Sequence, residues 1–161
     1  MALTEMGEQA TNLSVDEKRK LANNLMAANG NPSAEKYAAG CCYDAVAFVR
    51  YLLGGKITKE QLTKNKAKEW ENLFKDDKSK MLWNGQTIPR GTAVIFIRQG
   101  EEKPFHAALA IGGGKTVRGV NGGLLGTGWC NAGDRDLSTL VKDGDSYKHD
   151  NKSIKVWLSS L

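Results

Sequence analysis

The hydrophobic pattern changes its period once along the chain, near Asn84-Gly85, and this change restricts the fold more than any other feature. Before this point, apolar residues recur every three or four positions, which is typical of amphipathic helices. After it, short β-branched and apolar runs are separated by glycine-rich turns, which is typical of strands and hairpins. The order therefore predicts an α+β fold, with N-terminal helices packed on an antiparallel β-sheet.

Three helical segments are predicted before the change. They cover residues 15–28, 41–53 and about 66–82, and the second is the most apolar. Spacings of three, four and seven residues in the third segment give one apolar stripe, which we expect to be core: Trp70, Leu73, Phe74 and Met81. Four strands are predicted after the change, over residues 92–98, 105–111, 115–121 and 154–158. A short helix is predicted over 136–141.

Length and charge restrict the class of protein. The 161 residues fit one domain. No apolar run has the roughly 18 residues of a membrane-spanning helix, so no membrane partner is expected. Lysine and arginine outnumber acids by 23 to 18, but acids interrupt the lysines between 56 and 80. That mixture indicates a solvated helix face, and no nucleic-acid partner is expected. The first ten residues carry two glutamates and resemble no signal peptide, which predicts cytoplasmic synthesis and, if the protein leaves, export by a specialised secretion system.

The cysteines suggest chemistry rather than structure. Cys41, Cys42 and Cys130 contain no C-x-x-C pair, and the chain has only two histidines. We therefore expect neither a metal nor another cofactor, and three free thiols. Cys41 and Cys42 stand at the start of the most apolar helix, where the helix dipole favours a thiolate nucleophile. The alternative is that both are inert, small, buried side chains.

One histidine lies in a predicted strand. His106 begins the 105–111 strand, whereas His149 lies in a polar stretch and is expected to be solvated. If Gly113-Gly114 is a two-residue hairpin turn, counting outward gives three opposed pairs: Ile111 with Thr116, Leu109 with Arg118, and His106 with Asn121. Asn121 would then orient the imidazole, although Asn121-Gly122 is also a common turn sequence.

The order of these pieces resembles the papain-like cysteine hydrolase superfamily, in particular NlpC-like cell-wall peptidases and related bacterial amidase effectors. The resembling segments are residues 40–49 (GCCYDAVAFV), 88–96 (IPRGTAVIF) and 105–114 (FHAALAIGGG). The resemblance implies a papain-like core over residues 40–161, with residues 1–39 as a helical N-terminal extension of the same single domain.

The resemblance also assigns roles to residues. The nucleophile precedes apolar helix positions at +3, +4 and +7, which fits Cys42; counted from Cys41, the +3 position is Asp44, a poor fit to a buried face. His106 matches the general base. Cell-wall members often carry a polar residue, commonly histidine, about 12 positions past the base. This chain departs from that pattern, because it has Arg118 there, which cannot accept a hydrogen bond. Papain-like members with an asparagine on the returning strand fit better, so Asn121 is preferred as the third residue. Cys41, Tyr43 and Trp129 would line the oxyanion hole or the substrate site, while Trp129 could equally fill a loop.

The implied function is amide hydrolysis by a cysteine nucleophile. The resemblance favours a peptidoglycan amidase or peptidase acting as a secreted antibacterial effector toxin, monomeric, with a possible immunity protein as partner. The alternatives are a papain-like protease or glutamine deamidase toxin acting on a protein, and a non-catalytic binding module on the same scaffold. The last alternative predicts that Cys42 and His106 lie apart, or that the cleft is closed.

Overall fold

A computed structural model describes residues 8, 10, 12–27, 41–120, 125 and 134–161. The helices are α1 (Val15–Leu25), α2 (Cys42–Leu52), α3 (Lys59–Lys64) and α4 (Ala67–Lys75). The strands are β1 (Met81–Leu82), β2 (Ala93–Arg98), β3 (His106–Gly112), β4 (Thr116–Gly119), β5 (Arg135–Asp136), β6 (Val141–Asp143), β7 (Ser146–His149) and β8 (Lys152–Ser159), with a 3-10 helix at Leu137–Thr139. The predicted α+β class is confirmed.

The strands form one antiparallel sheet that curls into a half-barrel. Its order is β5-β4-β3-β2-β8-β7-β6, and β1 pairs with β8. The hairpins β2–β3, β3–β4 and β7–β8 join neighbours in sequence, whereas β8 returns to the middle of the sheet and pairs with β2. The central β2–β8 pair therefore joins two segments that are far apart in sequence.

Each face of the sheet carries its own hydrophobic core, because side chains alternate along a strand. On the outer face, Ala107, Leu109 and Ile111 of β3 pack with the helices. On the inner face of the half-barrel, Ala108 and Ala110 pack with side chains from β2, β4, β7 and β8. A residue of β3 therefore contacts either the helices or the half-barrel interior.

The helices confirm two of the predicted segments closely and correct the third. Helix α2 has nine buried residues, as its apolar sequence indicates. In α4, Trp70 and Phe74 are fully buried core residues, as predicted. The helix ends at Lys75, however, and Met81 begins β1 with 64% of its surface exposed, so the predicted helix over 66–82 is too long.

The β3–β4 hairpin confirms one of the predicted pairings. Leu109 pairs with Arg118, but Gly112 rather than Ile111 faces Thr116, because the register shifts between Ala110 and Gly112. The extrapolated partner of His106, Asn121, lies outside the described residues. The short helix predicted at 136–141 is the 3-10 helix, and β1, β5, β6 and β7 were not predicted.

Gly91 is required by the turn that precedes β2. Its φ is +91°, and an added Cβ would lie 2.8 Å from Leu53 Cδ1. We expect Gly91→Ala to lower the free energy of unfolding by about 1–2 kcal/mol from backbone strain, because Leu53 Cδ1 is the free end of a half-buried side chain that can rotate away from the new methyl group. Gly85→Ala is the control: its φ is +87° with nothing within 4 Å, so it should lose a similar free energy from strain alone. Urea unfolding measures both, and a much larger loss at Gly91 would show that Leu53 cannot move aside.

No helix within the described part of the chain combines the length and the apolar character that crossing a membrane requires.

Candidate active site

Cys42 is the first residue of α2 and lies against the edge of β3. It is 9% exposed and belongs to the outer-face core. The backbone N–H groups of Ala107, Tyr43 and Cys42 itself act on the pKa of its thiol in the direction that favours a thiolate. They belong to the start of β3 and to the first turn of α2, whose N–H groups have no partner within the helix.

Burial outweighs these donors in the described conformation. Desolvation raises the pKa of the Cys42 thiol to about 11, although the Ala107 N–H acts in the opposite direction. The backbone N–H groups at the helix start thus lower the pKa of Cys42 as expected, but burial raises it by more. Cys42 is a protonated thiol at neutral pH, and a base must remove its proton before it can attack a carbonyl.

Cys41 is the residue before α2 and is half-buried. Its own N–H donates to Asp44 Oδ2 at 2.8 Å, and the indole Nε1–H of Trp70 donates to Asp44 Oδ1 at 2.8 Å. Asp44 is only 7% exposed, and both its oxygens have partners. The expectation that Asp44 fits a buried face poorly is therefore wrong, because the sequence did not reveal that Trp70 supplies a donor from α4.

His106 begins β3 and faces the interior of the half-barrel. Its ring stacks on Phe96, with the centroids 5.5 Å apart, and its Nε2 lies 3.2 Å from Leu125 O. Phe96 is also its Cα partner across the β2–β3 pair. Burial, and to a smaller extent His149, lowers the pKa of His106 to about 4 although the Leu125 carbonyl raises it, so the imidazole is neutral at pH 7.

Cys42 therefore lies beside the strand that begins at His106, but the two side chains are on opposite faces of the sheet. The Cys42 sulfur meets the backbone of Ala107 on the helix-covered face. The imidazole, one residue earlier, packs on Phe96 of the inner-face core. The predicted pair of catalytic groups is not in hydrogen-bonding contact in the conformation described.

His149 is not simply solvated, which corrects the expectation from its polar neighbours. Its side chain is 13% exposed, its ring stacks on Phe105, and its Nε2 lies 3.3 Å from Asp150 Oδ2. Its Nδ1 is buried and has no hydrogen-bond partner. The two imidazoles thus both belong to the inner-face side of the sheet, which the sequence pattern around His149 did not indicate.

Of the other residues considered for the site, Tyr43 and Arg118 have structural roles that the structure describes, and three others lie outside the described residues. Tyr43 is buried, and its hydroxyl donates to Pro104 O at 3.0 Å, so it ties α2 to the β2–β3 connection. Arg118 is fully buried and forms an ion pair with Asp134. Asn121, Trp129 and Cys130 lie outside the described residues, as does the glycine-rich segment 122–133 apart from Leu125.

A cleft of about 460 Å³ opens on the outer side, between the end of α4, the β2–β3 connection and β8. It is lined partly by Lys75, Arg98 and Trp157, and neither Cys42 nor His106 reaches it. Nor do the described residues contain a group of three His, Cys, Asp or Glu side chains that could hold a metal ion. Among the described residues, the two thiols at the start of α2, Cys41 and Cys42, both lie beside backbone N–H groups that favour a thiolate.

A scan against protein-family models finds no match for this chain, and a search of curated proteins finds no similar sequence.

Proposed function

We propose that this chain is a cysteine-nucleophile amide hydrolase with a papain-like core, in which Cys42 is the nucleophile. The observation that carries the proposal is the position of Cys42 as the first residue of α2, beside the start of β3, where backbone N–H groups of both elements favour a thiolate. Such donors stabilise a thiolate and, during reaction, the oxyanion that forms beside it. The chain order of cysteine helix and histidine strand supports the same assignment.

The reaction follows from this assignment. In the reactive conformation His106 takes the proton of the Cys42 thiol, and the resulting thiolate attacks the amide carbonyl carbon, forming a C–S bond and an oxyanion. The C–N bond then breaks, and the leaving nitrogen takes that proton from the imidazolium of His106. Water attacks the thioester while His106 accepts its proton; the C–S bond then breaks, the carboxylic acid leaves, and the proton on His106 returns to the Cys42 sulfur. No cofactor takes part in any step.

The proposal requires His106 to change its position. In the described conformation the imidazole lies against Phe96 and Leu125, on the face opposite the sulfur. His106 is the first residue of β3, and the residue before it, Phe105, donates its N–H to Phe96 O. The change would therefore have to reorient the start of this strand. The described conformation is then a resting one, with a neutral thiol and a neutral imidazole.

The substrate class rests on the sequence resemblance. It favours the stem peptides of peptidoglycan, cut by a secreted antibacterial effector that an immunity protein would block. A protein glutamine side chain or a peptide bond would undergo the same chemistry, because each presents an amide carbonyl to the thiolate. The net charge of +5 suits an anionic cell wall.

The test is hydrolysis of purified peptidoglycan fragments and of glutamine-bearing proteins, followed by mass spectrometry. We expect the wild type to release amide-cleavage products and Cys42→Ser to lose at least 10³-fold in rate. The matched control, Cys41→Ser, changes the adjacent thiol and should retain most of the activity. His106→Gln should lose activity to a similar extent as Cys42→Ser if the imidazole serves as the base.

Loss of activity in Cys41→Ser but not in Cys42→Ser would overturn the choice of nucleophile. Activity retained in both single variants would overturn the proposal itself. A covalent acyl adduct on Cys42, trapped by rapid acid quenching, would support the thioester step directly.

A second candidate is a non-catalytic binding module on the same scaffold. It is favoured by one observation, the placement of the His106 ring and the Cys42 sulfur on opposite faces of the sheet. This candidate predicts that peptidoglycan fragments bind wild type and Cys42→Ser with equal affinity and remain uncut. Titration calorimetry with the same fragments distinguishes it from the hydrolase.

A further inference from the structure

Two neighbouring thiols share the start of α2, and only one of them can be the nucleophile. The backbone N–H groups of Asp44 and Tyr43 favour a thiolate at Cys41, and the Tyr43 N–H also favours one at Cys42, together with those of Ala107 and Cys42 itself. Cys41 is also the less buried of the two. A helix N-terminus favours a thiolate at either position, so Cys41 is a competing nucleophile unless something opposes its ionisation.

The Asp44 carboxylate lies where its negative charge can oppose ionisation of the Cys41 thiol. Its Oδ2 accepts the Cys41 N–H at 2.8 Å, which holds the carboxylate beside the Cys41 side chain. Its Oδ1 accepts the Trp70 Nε1–H at 2.8 Å, which joins the first turn of α2 to α4. Since both oxygens accept from N–H donors and the side chain is buried, the carboxylate has one fixed orientation.

We propose that Asp44 is a positioning residue that keeps Cys41 unreactive by holding a negative charge beside it, and so leaves Cys42 as the nucleophile at the start of α2. The inference rests on the proposed function of Cys42. It also gives a role to a buried carboxylate that has no place in the hydrolytic steps themselves.

The electrostatics around Cys41 agree with this geometry. Burial and then the charge of Asp44 raise the pKa of the Cys41 thiol above its ordinary value, against the two N–H groups. The other titratable groups that face it are the Cys42 thiol and the Tyr43 phenol, and burial raises the pKa of both, so both are neutral at pH 7. Asp44 is therefore the one charge among these groups that acts on Cys41.

The test measures Cys41 alone. In a Cys42→Ser background, iodoacetamide labelling of the peptide containing Cys41 is followed from about pH 6 to about pH 10 by mass spectrometry. We compare Trp70→Phe with Trp70→Phe/Asp44→Asn. In the double variant, the asparagine oxygen still accepts from the Cys41 N–H. Its NH₂ group faces the phenyl ring introduced by Trp70→Phe and does not meet the indole N–H donor of Trp70.

We expect Asp44→Asn to move the labelling midpoint down by about one pH unit, or about tenfold in rate near neutral pH. In proteins that retain Trp70, Asp44→Glu keeps the negative charge, so Cys41 should still be labelled slowly. Asp44→Asn in proteins that retain Trp70 should again accelerate the labelling of Cys41. An unchanged midpoint in both asparagine variants, with circular dichroism showing folded protein, would overturn the inference. A merely structural role predicts equal changes for glutamate and asparagine.

The two proposals fail in different experiments. The labelling reports on Cys41 without turnover, so an unchanged midpoint refutes the role of Asp44 and leaves the hydrolase intact. Hydrolysis that survives Cys42→Ser refutes the nucleophile, and with it the selection of Cys42 by Asp44.

Discussion

Lowering the pH from about 6.5 to about 4 should cost this protein about 3 kcal/mol of folding free energy through His106 alone. The imidazole has its ordinary pKa of about 6.5 in the unfolded chain, whereas burial lowers the pKa to about 4 in the native state. Between these values the unfolded chain binds a proton that the native state does not. The contribution is therefore fully present above about pH 6.5 and is lost as the pH falls.

Urea unfolding of wild type and His106→Gln as a function of pH measures this contribution. Glutamine keeps an N–H donor near Leu125 O but does not titrate, so the fall below pH 6.5 should be shallower by about 3 kcal/mol. Carboxylates contribute equally to both proteins and cancel in the comparison. Parallel pH profiles for wild type and His106→Gln would contradict the burial of a neutral imidazole at this position.

Removing the charge of Asp134, which pairs with Arg118, should be comparably costly. The Arg118 guanidinium is fully buried; its Nε and Nη2 donate to the two Asp134 oxygens at 2.7 and 2.8 Å, and its Nη1 donates to Leu25 O at 2.9 Å. Asp134→Asn takes a doubly hydrogen-bonded negative charge away from this buried cation, and breaking a buried pair typically costs about 3 kcal/mol. Chemical unfolding at neutral pH measures the loss.

A double-mutant cycle separates the pair from its surroundings. Arg118→Met removes the charge but keeps much of the apolar stem, and Arg118→Met/Asp134→Asn should be less destabilised than the two single losses predict. Additive losses would mean that the two side chains do not stabilise each other. The pair links β4 to the C-terminal end of α1 through Leu25, so its loss should also increase hydrogen exchange in α1.

The sequence predicted the elements whose patterns are local. The apolar period placed α2 to within a residue at each end, and β-branched runs located β2, β3 and β8. Four strands were not predicted, β1, β5, β6 and β7, and each has only two to four residues, too few to show an alternating pattern. Such strands form because neighbours in the sheet offer pairing partners, which no local pattern records.

The candidate site was predictable in its position but not in its side-chain directions. The pattern located Cys42 at a helix start, beside the strand that begins at His106. Which face of the sheet His106 occupies depends on strand register, and a shift of one residue reverses it. The partner of Asp44 depends on how α4 packs on α2, since Trp70 is 26 residues away in sequence.

The position of β8 in the middle of the sheet affects how the protein is made. Ala93 at the start of β2 pairs with Ser159 of β8, and the Ser159 hydroxyl donates to Asp77. Neither contact can form until β8 has been synthesised. Until then one edge of β2, a run of five buried residues followed by Arg98, has no neighbour. Nascent chains should therefore depend on chaperones that bind exposed apolar strands, and refolding in vitro should be slow because the central pairing is so distant in sequence.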